Sequence, residues 1–166
     1  MKVYLSPSSQ TGNTGVGNYG TEAARMQELS NKVKTKLEAK GHTVYGSDNS
    51  KDLAERIEAS NKAGVNVHVA LHSNAGGGTG PEVWYYTTST NGKRLAQCII
   101  DEIVGVSGCP TSRGIKASTT YQELKGTNAP AVIIEVAFHD SLSDVNWILN
   151  NMNSIAQAIA DGIDAY

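Results

Sequence analysis

Two cysteines, Cys98 and Cys109, are all that the 166 residues contain. They are too few for a disulfide framework and lack the C-x-x-C spacing of redox or metal motifs, which leaves Cys98 to the core-facing side of a helix. An excess of positive charge is also missing. With a formal net charge of -2, the chain has no cationic face for a polyanion, which argues against nucleic acid as a partner. No apolar run approaches the roughly 20 residues of a membrane span. The opening stretch MKVYLSPSSQ has one lysine and a strand-like start too short for the apolar centre of a signal peptide. Without a membrane partner or a leader, the chain is expected to be cytoplasmic until something releases it, or to be an excised domain. What is present, 39% hydrophobic and 18% charged residues, suits one compact α/β domain over residues 1–166, expected to act as a monomer.

Lys2 to Leu5 read as a first strand ended by Ser6-Pro7, and the glycine-rich stretch from Thr11 to Gly20 as a loop. Thr21 then caps a helix in which Met26, Leu29, Val33 and Leu37 recur at helical spacing, stopped at Gly41. Thr43 to Tyr45 suggest a short strand, and Ser50 the cap of a second helix ending near Gly64. Val65 to Leu71 form an apolar strand, Gly76 to Gly80 a loop, and Glu82 to Tyr86 another strand. A helix from about Asn91 to Val106 follows. Gly108, Pro110 and Gly114 predict an irregular surface segment. Ala131 to Phe138 are a strongly apolar strand, and Ile155, Ile159 and Ile163 mark a last helix.

Strands alternating with helices predict an open, mostly parallel sheet with helices on both faces. Sites in such sheets lie beyond the carboxyl ends of the strands. Three segments meet that condition: Ser6 to Gln10, His72-Ser73-Asn74, and Glu135 with His139.

His68 and His72 share a strand face, yet at about 3.3 Å per residue they stand roughly 13 Å apart, so one ion cannot bind both. His68 is expected as a core histidine or a support to the site; His72, near the strand's end, as a ligand, a catalytic group or a structural residue. Glu135 lies inside AVIIEVAFHD, where a buried carboxylate costs several kcal/mol unless paired, protonated or beside a metal. The two readings are a catalytic acid/base and an ion pair with a cation such as Arg113. Glu22, at the start of the first helix, either complements the helix dipole or ligates a metal. A histidine, a glutamate and one further ligand with an open position is the pattern of catalytic zinc.

YLSPSSQ, GTE, HVALHSNAGG, SRGIKAS and YQELKGTNAPAVIIEVAFHD, followed by a helical tail, resemble in this order the zinc-dependent N-acetylmuramoyl-L-alanine amidases called Amidase_3. The similarity spans the chain and is nearest to catalytic domains of clostridial phage endolysins and autolysins. The resemblance implies a twisted sheet of about six strands, one zinc ion, Glu22 and His72 as ligands, and Glu135 as the catalytic glutamate. It departs from the family where D-P-G-H is usual: Ser6-Pro7-Ser8-Ser9 puts Ser9 in the histidine slot. His139 is the expected replacement, with Gln10, Ser9 or a water as alternatives.

The implied reaction is hydrolysis of the amide joining N-acetylmuramic acid to L-alanine in bacterial peptidoglycan, with Glu135 as general base to a zinc-activated water. Ser9, Gln10, Asn74, Arg113 and Lys116 are the expected substrate contacts. Lys116 or a backbone N–H would serve the oxyanion. The segments Gly76 to Gly80 and Ser112 to Thr120 are expected to border the groove. A wall-recognition module without catalysis and a carboxypeptidase-like zinc peptidase are the alternatives.

Overall fold

The computed structural model describes residues 1–166. In chain order the elements are β1 (Lys2–Pro7), α1 (Glu22–Ala39), β2 (Thr43–Gly46), α2 (Leu53–Ala63), β3 (Val67–Asn74) and β4 (Glu82–Tyr86). They continue through α3 (Thr90–Val104), β5 (Gly114–Ser118), α4 (Gln122–Gly126), β6 (Ala131–Phe138) and α5 (Leu142–Asp164). The six strands form one sheet in the order β2-β1-β3-β6-β4-β5. All neighbours are parallel except β4 and β6, which run antiparallel.

The interior strands β1, β3 and β6 are buried on both faces, which is why they read as apolar runs rather than alternating ones. The faces are unequal. Val67, Val69 and Leu71 of β3 join Met26, Leu29 and Val33 of α1, Ile99 and Ile103 of α3 and Ile155 and Ile159 of α5 in a cluster of 31 buried residues. On the opposite face, beneath α4, the apolar cluster has four buried residues, Ala70, Leu124, Ala131 and Ile133, with Trp84 and Tyr86 packed against them. That second face also carries the buried polar groups Arg56, Ser60, His68 and Glu123. One face holds the fold together, and the other leaves room for chemistry.

The caps explain the helix limits. Thr21 Oγ1 accepts from Ala24 N at 3.2 Å, as its sequence context predicts. For α2 the cap is Asp52 rather than Ser50: Asp52 and Glu55 form a reciprocal capping box, whereas Ser50 turns back to Asp48. Gly64 ends α2 in the left-handed conformation at φ 57°. In α5, Asn151 leaves helical geometry (φ -125°) while its side-chain amide donates to Trp147 O at 2.9 Å. Helices α3 and α5 cross at Gly162, where an added Cβ would lie 2.6 Å from Ile99 Cα. Gly162→Val is therefore expected to part α3 from α5 and lower stability by about 1–3 kcal/mol, as read by urea unfolding. An unchanged midpoint would show that the helices do not depend on this approach.

Candidate active site

At the carboxyl ends of β3 and β6, the register sets His72 beside Glu135, and the antiparallel pairing sets Glu82 on the other side of Glu135. Glu135, Ile133 and His72 face a cleft of about 210 Å³, which Gln10, Leu53, Tyr121, Gln122 and Glu123 complete. A larger groove of about 570 Å³ opens at the other end of β6, around Ala129 to Ala131, but its lining includes no histidine and no acid. Of the two, the smaller one holds the histidine and the carboxylates.

Glu135 Oε2 is buried and has no hydrogen-bond partner. Burial pushes its carboxyl up to about 7; the charge of His72 opposes this, and those of Glu22 and Glu82 add to it. The ion pair with Arg113, one of the two readings of this residue, does not form: Arg113 bonds Glu82.

Glu22 arrives from the first turn of α1, 1% exposed. Its Oε1 lies 2.9 Å from His72 Nδ1 and accepts from Ser73 N at 3.4 Å, while Oε2 accepts from Asn13 Nδ2 at 2.7 Å. Burial works against its charge, but the bonds from His72 and Asn13 prevail and hold its carboxyl below the ordinary range. For His72 burial likewise opposes the charge, and the bond to Glu22 with the charge of Glu135 outweighs it, raising the imidazole above its usual value. The loop from Thr11 to Gly20 delivers Asn13 and is fastened by Val16 N to His139 O at 2.8 Å.

His139 does not join this pair. Its Nδ1 is 2.9 Å from Ser73 Oγ, which also receives the Tyr19 hydroxyl, and its ring stacks on Tyr19. Because side chains alternate along β3, Ser73 and therefore His139 belong to the face opposite His72. A register shift between His72 and Asn74 breaks the spacing that would have kept His139 on the face of Glu135. His139, expected to replace the missing ligand, is therefore not brought to the Glu22–His72 pair. Ser9 is also engaged, its Oγ accepting from the buried Arg56 guanidinium at 3.0 Å.

Glu82, an acid opening the strand EVWYY, raises the same question as Glu135 and is not among the site residues expected from the sequence. It is 3% exposed and gathers four donors: Arg113 Nε and Lys116 Nζ each at 2.6 Å, Asn74 Nδ2 and Trp84 Nε1 each at 3.0 Å. Against the cost of burial, the bonds from Lys116, Arg113 and Trp84 hold its carboxyl low. Asn74, Arg113 and Lys116, expected as substrate contacts, are thus brought together around a neighbouring carboxylate.

His68 is a core residue with a supporting task. Its Nδ1 meets Ser60 Oγ at 2.9 Å, its Nε2 meets Glu123 Oε1 at 2.8 Å, and Tyr4 stacks on the ring. Glu123 belongs to α4, which with Tyr121 and Gln122 walls the cleft. The glycine loop is pinned rather than free: Asp140 accepts from Gly76 N and Gly77 N, and Asp144 from Thr79 Oγ1 and Gly80 N. Asp140 therefore holds this loop, and Ser141 caps α5.

An open α/β sheet that holds a buried, partnerless carboxyl beside a Glu–His pair at its strand ends has the layout of an acid–base site. The chain belongs to the N-acetylmuramoyl-L-alanine amidase family Amidase_3, whose model matches residues 6–165. That family is generally zinc dependent and acts on peptidoglycan. N-acetylmuramoyl-L-alanine amidase LytC of Bacillus subtilis (strain 168) is 29% identical over 99% of this chain, and the chain spans 35% of that protein. The crystal structure of N-acetylmuramoyl-L-alanine amidase from Clostridium difficile 630 superposes with a TM-score of 0.88 at 25% identity, covering 99% of this chain and 95% of that one. The catalytic domain of the CD27L endolysin, at 23% identity and TM-score 0.82 over 99% of this chain and 97% of its own, shares the fold. No helix here is long and apolar enough to cross a membrane.

Proposed function

We propose that the chain hydrolyses the amide between N-acetylmuramic acid and L-alanine in peptidoglycan, with Glu135 as general base. The observation that carries this reading is the partnerless Oε2 of Glu135, facing a cleft beside Glu22 and His72 with its carboxyl near 7. A base poised near neutrality can take a proton from water and return it to a leaving amine. The water oxygen adds to the scissile carbonyl carbon, the C–N bond breaks, and Glu135 passes the proton it received to the departing alanine nitrogen.

Glu22 and His72 fit a zinc ion as donors: a buried carboxylate oxygen lies 2.9 Å from a nitrogen of the imidazole that lines the cleft, next to Glu135, whose Oε2 has no partner. Zinc bound there supplies Lewis acidity to the carbonyl and acidity to a water. No third histidine, cysteine, aspartate or glutamate stands close enough to complete the set. Tyr121, Gln122 and Leu53 line the approach and contact the substrate, while Asn74, Arg113 and Lys116 hold the Glu82 charge that helps keep Glu135 protonatable. Chelation is expected to stop clearance of purified walls, and added zinc to restore it. Full clearance by protein shown to be free of metal would refute the zinc assignment.

A further inference from the structure

Catalytic zinc sites carry three protein ligands, and here Ser9 faces a buried cation and His139 lies on the face of the sheet opposite His72. Ser9 accepts from Arg56, a residue 5% exposed whose guanidinium forms no ion pair and also donates to Ser6 Oγ and Pro7 O. A metal ion at Ser9 would stand against a fixed positive charge. His139 is bonded to Ser73 and stacked on Tyr19. One position beyond Ser9, however, Gln10 lines the cleft together with His72 and Glu135.

We propose that Gln10 supplies the third protein donor through its side-chain amide oxygen, an inference that rests on the zinc reading above. Gln10 Oε1 and Glu22 Oε2 each accept from the same atom, Asn13 Nδ2, at 2.7 Å. Two oxygens from separate segments therefore already converge on one electropositive centre. The main chain of Gln10 is fixed beside Glu22: its N–H donates to Ser8 Oγ at 3.2 Å and its carbonyl accepts from Ala23 N at 3.3 Å. An amide oxygen is a neutral, hard donor, weaker towards zinc than imidazole. The site thus takes zinc through one strong nitrogen, one carboxylate and one weak oxygen, and binds it less tightly than a site with a histidine in place of Gln10.

The test is zinc affinity, measured on metal-stripped protein by competition with a chromophoric chelator, with the visible spectrum of the cobalt-loaded protein as a second readout. Loss of a supporting group around a metal typically costs 10–100-fold in affinity, and loss of a direct donor at least that, so Gln10→Ala is expected to weaken zinc by tenfold or more. Gln10→His should bind more tightly than wild type and change the cobalt spectrum, which guards against a result caused by misfolding. Ser9→Ala and His139→Gln should stay within about twofold of wild type. Wild-type affinity in Gln10→Ala, or a loss in His139→Gln that Gln10→Ala does not show, overturns the assignment of Gln10 alone. Hydrolysis by a wild-type protein that takes up no zinc overturns the zinc reading and this inference together.

Discussion

Replacing Glu135 by glutamine is expected to abolish hydrolysis while making the metal-free protein more stable. General-base catalysis contributes about 10²–10⁴-fold, and a neutral amide at this position cannot accept the proton. The gain in stability has the same origin. In the fold, burial raises the Glu135 carboxyl from 4.5 to about 7. Between those values the folded state holds a proton that the unfolded state has lost, so wild-type stability falls as pH rises. The whole penalty, about 3 kcal/mol or on the order of 5–10 °C in Tm, is present above pH 7 and absent below about pH 4.5. Glu135→Gln escapes it. Urea unfolding of chelator-treated protein at pH 4 and pH 8 should show similar midpoints at pH 4 and a more stable variant at pH 8. Equal stability at pH 8 would mean that the carboxylate is not isolated from partners as described.

The second large effect lies away from the reacting groups. His68→Ala is expected to cost about 3–5 kcal/mol, because it leaves the Glu123 carboxylate buried without its partner. Glu123 is held below the ordinary carboxylate range because, although burial opposes its charge, the bond from His68 prevails. A depressed folded value adds stability above the unfolded value and loses it as pH falls through the folded one, so the pair supports the fold at neutral pH and fails in acid. The double variant His68→Ala/Glu123→Gln should recover part of the loss. Since α4 carries Tyr121 and Gln122 to the cleft, the single variant should also raise KM in the wall assay. A cost under about 1 kcal/mol in urea unfolding would show that the His68–Glu123 contact adds little.

Much of this arrangement was legible in the chain. The apolar runs of β1, β3 and β6 and the spacing of Met26, Leu29, Val33 and Leu37 predicted the centre of the fold. The rule that sites gather at strand ends pointed to His72 and Glu135, and the family resemblance added Glu22 from the start of the first helix. What escaped has physical reasons. GIKAS is an edge strand that begins on glycine and carries a lysine, and QELKG is too short to show a period, so β5 and α4 left little trace. The antiparallel β4 had a signal that went unread: from Asn74 to Glu82 no helix intervenes, and the connection is too short for a parallel crossover of a dozen or more residues. Strand alternation carried straight through would set His139 on the face of Glu135, and the register shift turns it to the other. His139 instead forms a network with Ser73 and Tyr19 that packs behind the site.

The central claim is tested most directly by the ends created when purified peptidoglycan is digested, with the wild-type protein and Glu135→Gln run side by side. The account predicts one new N-terminal L-alanine for each stem peptide released, and glycan strands whose N-acetylmuramic acid has regained a free lactyl carboxylate, from the wild type alone. New carboxyl-terminal residues on stems still joined to the glycan, or protein bound to walls that release nothing, would contradict it.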